Sequence, residues 1–181
     1  MTRDSDLSPA PELSVLPQVA REAIGAHLEG RDAQPPTEPV GPLATPAPVF
    51  VTLRLGGRLR GCIGELEAHC RDLVEETMDR AVAAAVNDPR FPPLTLDELP
   101  RTSIEISILS PLEPVQSEAD LDPKIYGIEI QDEYGHRAVL LPDIEGVDTV
   151  EKQIAVTREK AWIGPDVPIK IRRFHVIKVE E

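Results

Sequence analysis

The segment Leu59-Arg60-Gly61-Cys62-Ile63-Gly64 sets one cysteine between two glycines on a short predicted strand. An ionised thiol is a nucleophile, and a neighbouring guanidinium favours its ionisation. Side chains alternate in an extended segment, so Arg58, Arg60 and Cys62 are expected on one face and Leu59, Gly61 and Ile63 on the other. Leu59 and Ile63 are the natural core residues. Arg60 and Cys62 then share the opposite face, roughly 6–7 Å apart at Cα. Gly61 inside a strand marks a close approach by a ligand or another backbone, or relieves a bulge. Gly64 gives a permissive backbone where the strand ends. Free cysteine is also among the most buried residue types, so a packed Cys62 is the competing expectation. A base for the thiol would come from His136 or His175, distant in sequence; His69 reads as a surface loop residue.

Two further groups bear chemistry. Asp88-Pro89-Arg90-Phe91 sets opposite charges beside a rigid proline, as part of a site or as an ion pair at a helix end. Glu105 and Ser107 fall on the non-core face of an alternating strand. If that face meets the one carrying Arg60 and Cys62, Glu105 pairs with Arg60 and a polar cleft forms; otherwise both are simply solvated. Cys62 and Cys70 match no zinc or CxxC spacing, so no metal site is expected and no cofactor is assigned.

The elements that must position these residues follow from periodicity. Residues 1–13 read as a disordered tail. From Ser14, a candidate N-cap, the positions Leu16, Val19, Ala20, Ala23, Ile24, His27 and Leu28 recur at helical spacing until Gly30. Nine of the 19 prolines lie in the first 48 residues, and residues 31–48 are expected to be extended, without helix. Val49–Leu55 and Arg58–Ile63 form a hairpin about Gly56-Gly57. Leu73, Val74, Thr77, Met78, Ala81, Val82 and Ala85 mark a helix within 70–87, stopped at Asn87-Asp88-Pro89. Ser103–Leu109 alternates as a strand. A second hairpin spans Tyr126–Gln131 and His136–Leu141. Thr149 caps a helix to about Lys160, with Val150 and Ile154 inward, and Gly164-Pro165 breaks the chain. Ile169–Val179 closes as a strand with one interruption. Hairpins and helices without βαβ alternation indicate an α+β fold with antiparallel sheets.

The 181 residues carry a net charge of −13, which disfavours non-specific DNA or RNA binding. Aromatics at 3% are too few for a single-strand stacking platform. No apolar run reaches 18 residues and the N-terminus opens no secretory signal, so a cytoplasmic protein with free thiols is expected, with neither membrane nor DNA as partner.

With these residues in place, the chain resembles the AMMECR-type domain family. The match is carried by Phe50-Val51-Thr52-Leu53, by Leu59–Gly64 as the hallmark, and by Asp88-Pro89-Arg90-Phe91-Pro92-Pro93-Leu94-Thr95. Glu98-Leu99, Ile104–Ser110, Gly127-Ile128 and Leu140-Leu141-Pro142 extend it over about Ser14 to Val179. The resemblance implies a larger subdomain holding both termini and a smaller one, each built on an antiparallel sheet with flanking helices, with a cleft between them that the hallmark strand faces. It implies a site of Cys62, Arg60 and Glu105 lined by Gly61, Gly64, Asp88, Arg90 and Ser107. Cys62 would be nucleophile or thiol ligand, Arg60 anion-positioning and thiol-activating, and Glu105 a base or the orienter of Arg60. It also implies radical-SAM and Memo-type partners in a modification system acting on RNA, a protein or a small molecule. A non-catalytic protein-binding or scaffold module is the alternative. Tyr126 stands where relatives often carry histidine before the glycine, which argues against an imidazole there.

Overall fold

A computed structural model describes residues 9–35 and 38–181. It has three α-helices and two four-stranded antiparallel sheets, an α+β fold. The chain divides into two compact units, one running to Leu109 and rejoined by Ile177–Glu181, the other Ser110–Val176.

The first unit contains α1 (Leu16–Glu29), β1 (Val49–Leu55), β2 (Arg58–Gly64), α2 (Leu73–Val86) and β3 (Thr102–Leu109). With β8 (Val176–Glu180) its sheet has the order β2-β1-β3-β8, so β2 is an edge strand. Val49, Val51 and Leu53 meet Ile104, Ile106 and Ile108 on one face, where Leu16, Ile24, Leu73 and Val74 cover them. Asp72 caps α2 by accepting the Glu75 N–H at 2.9 Å. Gly56 and Gly57, both at positive φ, turn β1 into β2.

The second unit contains β4 (Glu113–Pro114), β5 (Gly127–Asp132), β6 (Arg137–Leu140), α3 (Val150–Ala161) and β7 (Ile169–Phe174), with sheet order β4-β7-β5-β6. Ile128, Ile130 and Leu140 pack with Ala161 and Ile163, and Val150 and Ile154 of α3 lie against them. Thr149 caps α3 as expected, its Oγ1 accepting the Lys152 N–H at 3.2 Å.

Several expectations are corrected. The expected tail ends earlier than residue 13: Pro11–Val15 is a 3₁₀ turn with Leu13 buried, while residues 1–8 lie outside the described residues. Ser14 is no N-cap, because that turn precedes α1 and the Ser14 hydroxyl donates to Pro11 O at 2.7 Å. His27 is exposed rather than inward. The proline-rich stretch, of which Pro36 and Thr37 lie outside the described residues, holds a 3₁₀ turn at Gly41–Ala44 that buries Leu43; proline in a first turn loses no needed N–H. The last strand is two: β7 and β8 belong to different sheets and part at His175, whose N–H goes to Ser110 Oγ and whose carbonyl accepts from Ser110 N. Among the described residues, no helix is long and apolar enough to cross a membrane.

Candidate functional site

The β1–β2 register decides where the hallmark residues point. Leu55 faces Arg58 and Arg54 faces Leu59, but then Leu53 faces Gly61 and Thr52 faces Cys62. One extra residue, Arg60, sits in β2 at this shift. A bulge of this kind interrupts alternation. Leu59, expected in the core, is 36% exposed opposite the exposed Arg54. Gly61 and Ile63 stay on the α2 side with Leu53 and Val51, and Cys62 keeps the other face with Thr52.

The Arg60 guanidinium is bonded away from the thiol. Its Nε and Nη2 grip Glu98 at 3.2 and 2.9 Å, and its nitrogens donate to Pro92 O and Pro93 O at 2.8 and 3.2 Å. Its side chain is 11% exposed. This clamp ties the loop after α2 to β2, and the Arg60 guanidinium holds Glu98 below the usual carboxylate range. The expected Arg60–Glu105 pair does not form; Glu105 Oε1 instead accepts from Ser107 Oγ at 3.3 Å and lies 4.0 Å from Lys178 Nζ.

Both glycines are spent on packing. A Cβ on Gly61 would lie 2.1 Å from Ala84 O of α2, so the close approach foreseen there is by a helix backbone. A Cβ on Gly64 would lie 2.3 Å from the Phe50 ring and 2.5 Å from Val49 O.

Asp88 and Arg90 close on Cys62 from outside the sheet. Asp88 Oδ2 accepts the Cys62 N–H at 2.9 Å, and Arg90 Nη2 donates to Cys62 O at 3.2 Å and to Asp88 Oδ2 at 2.7 Å. On an edge strand these backbone groups would otherwise await another strand. The carboxylate and guanidinium stand in for that neighbour's C=O and N–H. The Arg90 side chain chiefly, then the Cys62 and Arg90 backbone N–H groups, hold buried Asp88 far below the usual carboxylate range against the opposing effect of burial. Cys62 is half-buried, and the hydrogen-bond partner of its thiol among the described residues is Thr52 Oγ1 at 3.4 Å.

Thr52 also faces Glu105 on β3, so Cys62, Thr52 and Glu105 form a row across three strands, continued by Lys178. Ser107 lies fully buried beside Glu105. A hollow of about 130 Å³ adjoins the row, lined by Thr52, Arg54, Ser103, Glu105, Glu180 and Glu181. At about 30 Å³ per water it admits a few solvent molecules, less than the roughly 300 Å³ of a small-molecule site. Thr52, Glu98 and Lys178 are the participants that sequence reasoning missed.

The histidines are engaged elsewhere. His69 Nε2 pairs with Glu65 at 2.6 Å and His136 Nδ1 with Asp132 at 2.7 Å. His175 lies against the Tyr126 ring at 4.6 Å, with Arg173 over the same ring at 4.2 Å. Among the described residues no three His, Cys, Asp or Glu side chains converge as a metal site requires.

The AMMECR1 family profile matches residues 17–179. A Thermotoga maritima protein is 48% identical over 132 residues, covering 72% of this chain and 75% of that one. A Methanothermobacter thermautotrophicus protein is 36% identical, covering 83% and 82%. The crystal structure of the uncharacterized protein PH0010 from Pyrococcus horikoshii superposes with a TM-score of 0.86 at 30% identity, covering 97% of this chain and 94% of that one.

Proposed function

The chain belongs to the AMMECR1 family, and on that premise we propose that it is the thiol-presenting component of a modification enzyme system in the cytoplasm. The observation that carries this is the Asp88–Arg90 clamp. It fixes both backbone groups of Cys62, a residue that is itself partly exposed, with its sulfur beside one hydroxyl. Such a thiol is pre-positioned on a rigid strand, which is what nucleophilic chemistry asks of its scaffold. Cys62 Sγ would form a C–S bond to an electrophilic carbon of the substrate as the leaving group departs with its electron pair. The thiol proton would pass by the Thr52 hydroxyl to the carboxylate of Glu105, its cross-strand neighbour. Arg60 belongs to the scaffold, and Asp88 and Arg90 are positioning residues. Radical-SAM and Memo-type proteins are the proposed partners, and RNA, a protein or a small molecule the substrate; family membership is the support for both.

A non-catalytic protein-binding module is the second possibility. The engagement of Arg60 by Glu98 favours it, since the guanidinium expected to activate the thiol is committed elsewhere. Cells carrying Cys62→Ser or Cys62→Ala in place of the native chain separate the two. Loss of the modified product with both variants, at unchanged protein level, supports the thiol component. Full function with both leaves only the binding module.

A further inference from the structure

The second unit carries a hollow of about 640 Å³, within the range of small-molecule sites. Its floor is the face of the sheet turned away from α3. Glu129 on β5 stands directly opposite Arg172 on β7, and Gln131 opposite Lys170, so two cross-strand pairs point the same way. The segment from Pro114 at the end of β4 to Glu118 forms the other wall.

Glu129 is 1% exposed, yet only one of its oxygens is satisfied. Oε2 accepts from Nε of Arg172 at 2.7 Å and lies 2.6 Å from its Nη2, while Oε1 is buried without a hydrogen-bond partner among the described residues. A buried carboxylate oxygen left bare is costly, and a native fold retains one where something else supplies the donor. The Arg172 side chain, held by Glu129, is 43% exposed. Lys170 is exposed and makes no ion pair among the described residues. Glu118 on the rim is the one other charged group of the lining, so the hollow presents both signs of charge.

We infer that the second unit holds a small-molecule site of its own, for an oxyanion that carries a hydrogen-bond donor beside it. The oxyanion, carboxylate or phosphate, binds the open edge of Arg172 and Lys170. The donor, an ammonium or hydroxyl group, reaches Glu129 Oε1 as Arg172 swings to meet the anion. Glu129 thus does two things: it orients the guanidinium and reads the donor. The site goes beyond the thiol chemistry and stands or falls without it.

Glycine, acetate and inorganic phosphate, each titrated into the full chain at millimolar concentration and matched ionic strength, test it by amide NMR. Shifts are expected to concentrate at residues 129–131 and 170–172. Glycine should bind tighter than acetate on the order of tenfold, because acetate leaves Oε1 bare. Phosphate against acetate tells which oxyanion the cations prefer. Lys170→Gln, on an exposed side chain that cannot unfold the unit, should weaken glycine about threefold. Arg172→Lys, which loses the planar fork, should weaken it on the order of tenfold. Shifts no larger than those from sodium chloride, or glycine and acetate binding alike, would overturn the assignment; so would indifference to Lys170→Gln.

Discussion

The two cysteines of the first unit are held by the same device with different results. In each case a buried carboxylate accepts the cysteine N–H at 2.9 Å: Asp88 for Cys62, Glu76 for Cys70. Asp88 has Arg90, which also donates to the Cys62 carbonyl, so the ion pair spans the Cys62 backbone from N–H to C=O and its charges balance beside it. Glu76 also takes the His69 N–H, and its cation Arg80 is shared with Glu65 and Asp79. Burial, and then the Glu76 charge, push the Cys70 thiol up to about 11. One carboxylate therefore silences the thiol it holds, while the other fixes a peptide and brings its own cation with it. What matters is where the counter-charge goes.

Four substitutions break or sharpen that contrast. The largest effect is expected from Gly61→Ala, whose Cβ would fall on Ala84 O. Either α2 or β2 must move, at a cost of about 3 kcal/mol or more in urea unfolding. Glu76→Gln strips the anion from the Cys70 loop, costs about 2–3 kcal/mol and makes Cys70 alkylate faster, because the Glu76 charge, the largest cause of its raised pKa after burial, is gone.

Asp88→Asn comes next, at about 2 kcal/mol near neutral pH. It also changes the pH dependence. Asp88 and Glu98 both titrate lower when folded than unfolded, so their stabilisation is complete above about pH 5 and is lost as pH falls toward the folded values. The variant should lose less stability than the native chain between about pH 4 and pH 2, read by thermal unfolding across that window. The smallest effect is expected from Arg60→Lys. It sacrifices the bidentate grip on Glu98 for about 1 kcal/mol and leaves the Cys62 alkylation rate within about twofold. A larger fall in that rate would restore Arg60 as the thiol's activator.

Much of this was legible in the sequence. The stripe from Leu73 to Ala85 and the Asp88-Pro89 stop defined α2, Gly56-Gly57 defined the hairpin, and Thr149 defined the start of α3. The partners of Arg60 were not. A two-residue turn pairs Leu55 with Arg58, and regular pairing from there would put Thr52 opposite Gly61. The bulge at Arg60 moves Thr52 to Cys62 and frees the arginine for Glu98. A bulge is set by packing of α2 onto Gly61 rather than by any local signal, so alternation carried across it failed at Leu59 and Arg60 and held at Cys62 and Ile63. Glu98 escaped notice because a loop returning from the far end of α2 brings it to β2. The division of the last strand at His175 was hidden for a like reason: its apolar pattern runs on while its hydrogen-bond partners change sheets.

The most direct test is a timed alkylation of the native chain near neutral pH, with Cys62 and Cys70 followed separately by peptide mass and Arg90→Gln run alongside. Cys70, at about 11, serves as the slow internal reference, at least about tenfold slower than an ordinary thiol. The account predicts that Cys62 is modified at least about tenfold faster than Cys70 from the folded state. Arg90→Gln should slow it, because a buried carboxylate is then left beside the thiol without its cation. Equal rates for the two cysteines, or modification of Cys62 only as the chain unfolds, would contradict the claim that the Asp88–Arg90 clamp presents a usable thiol.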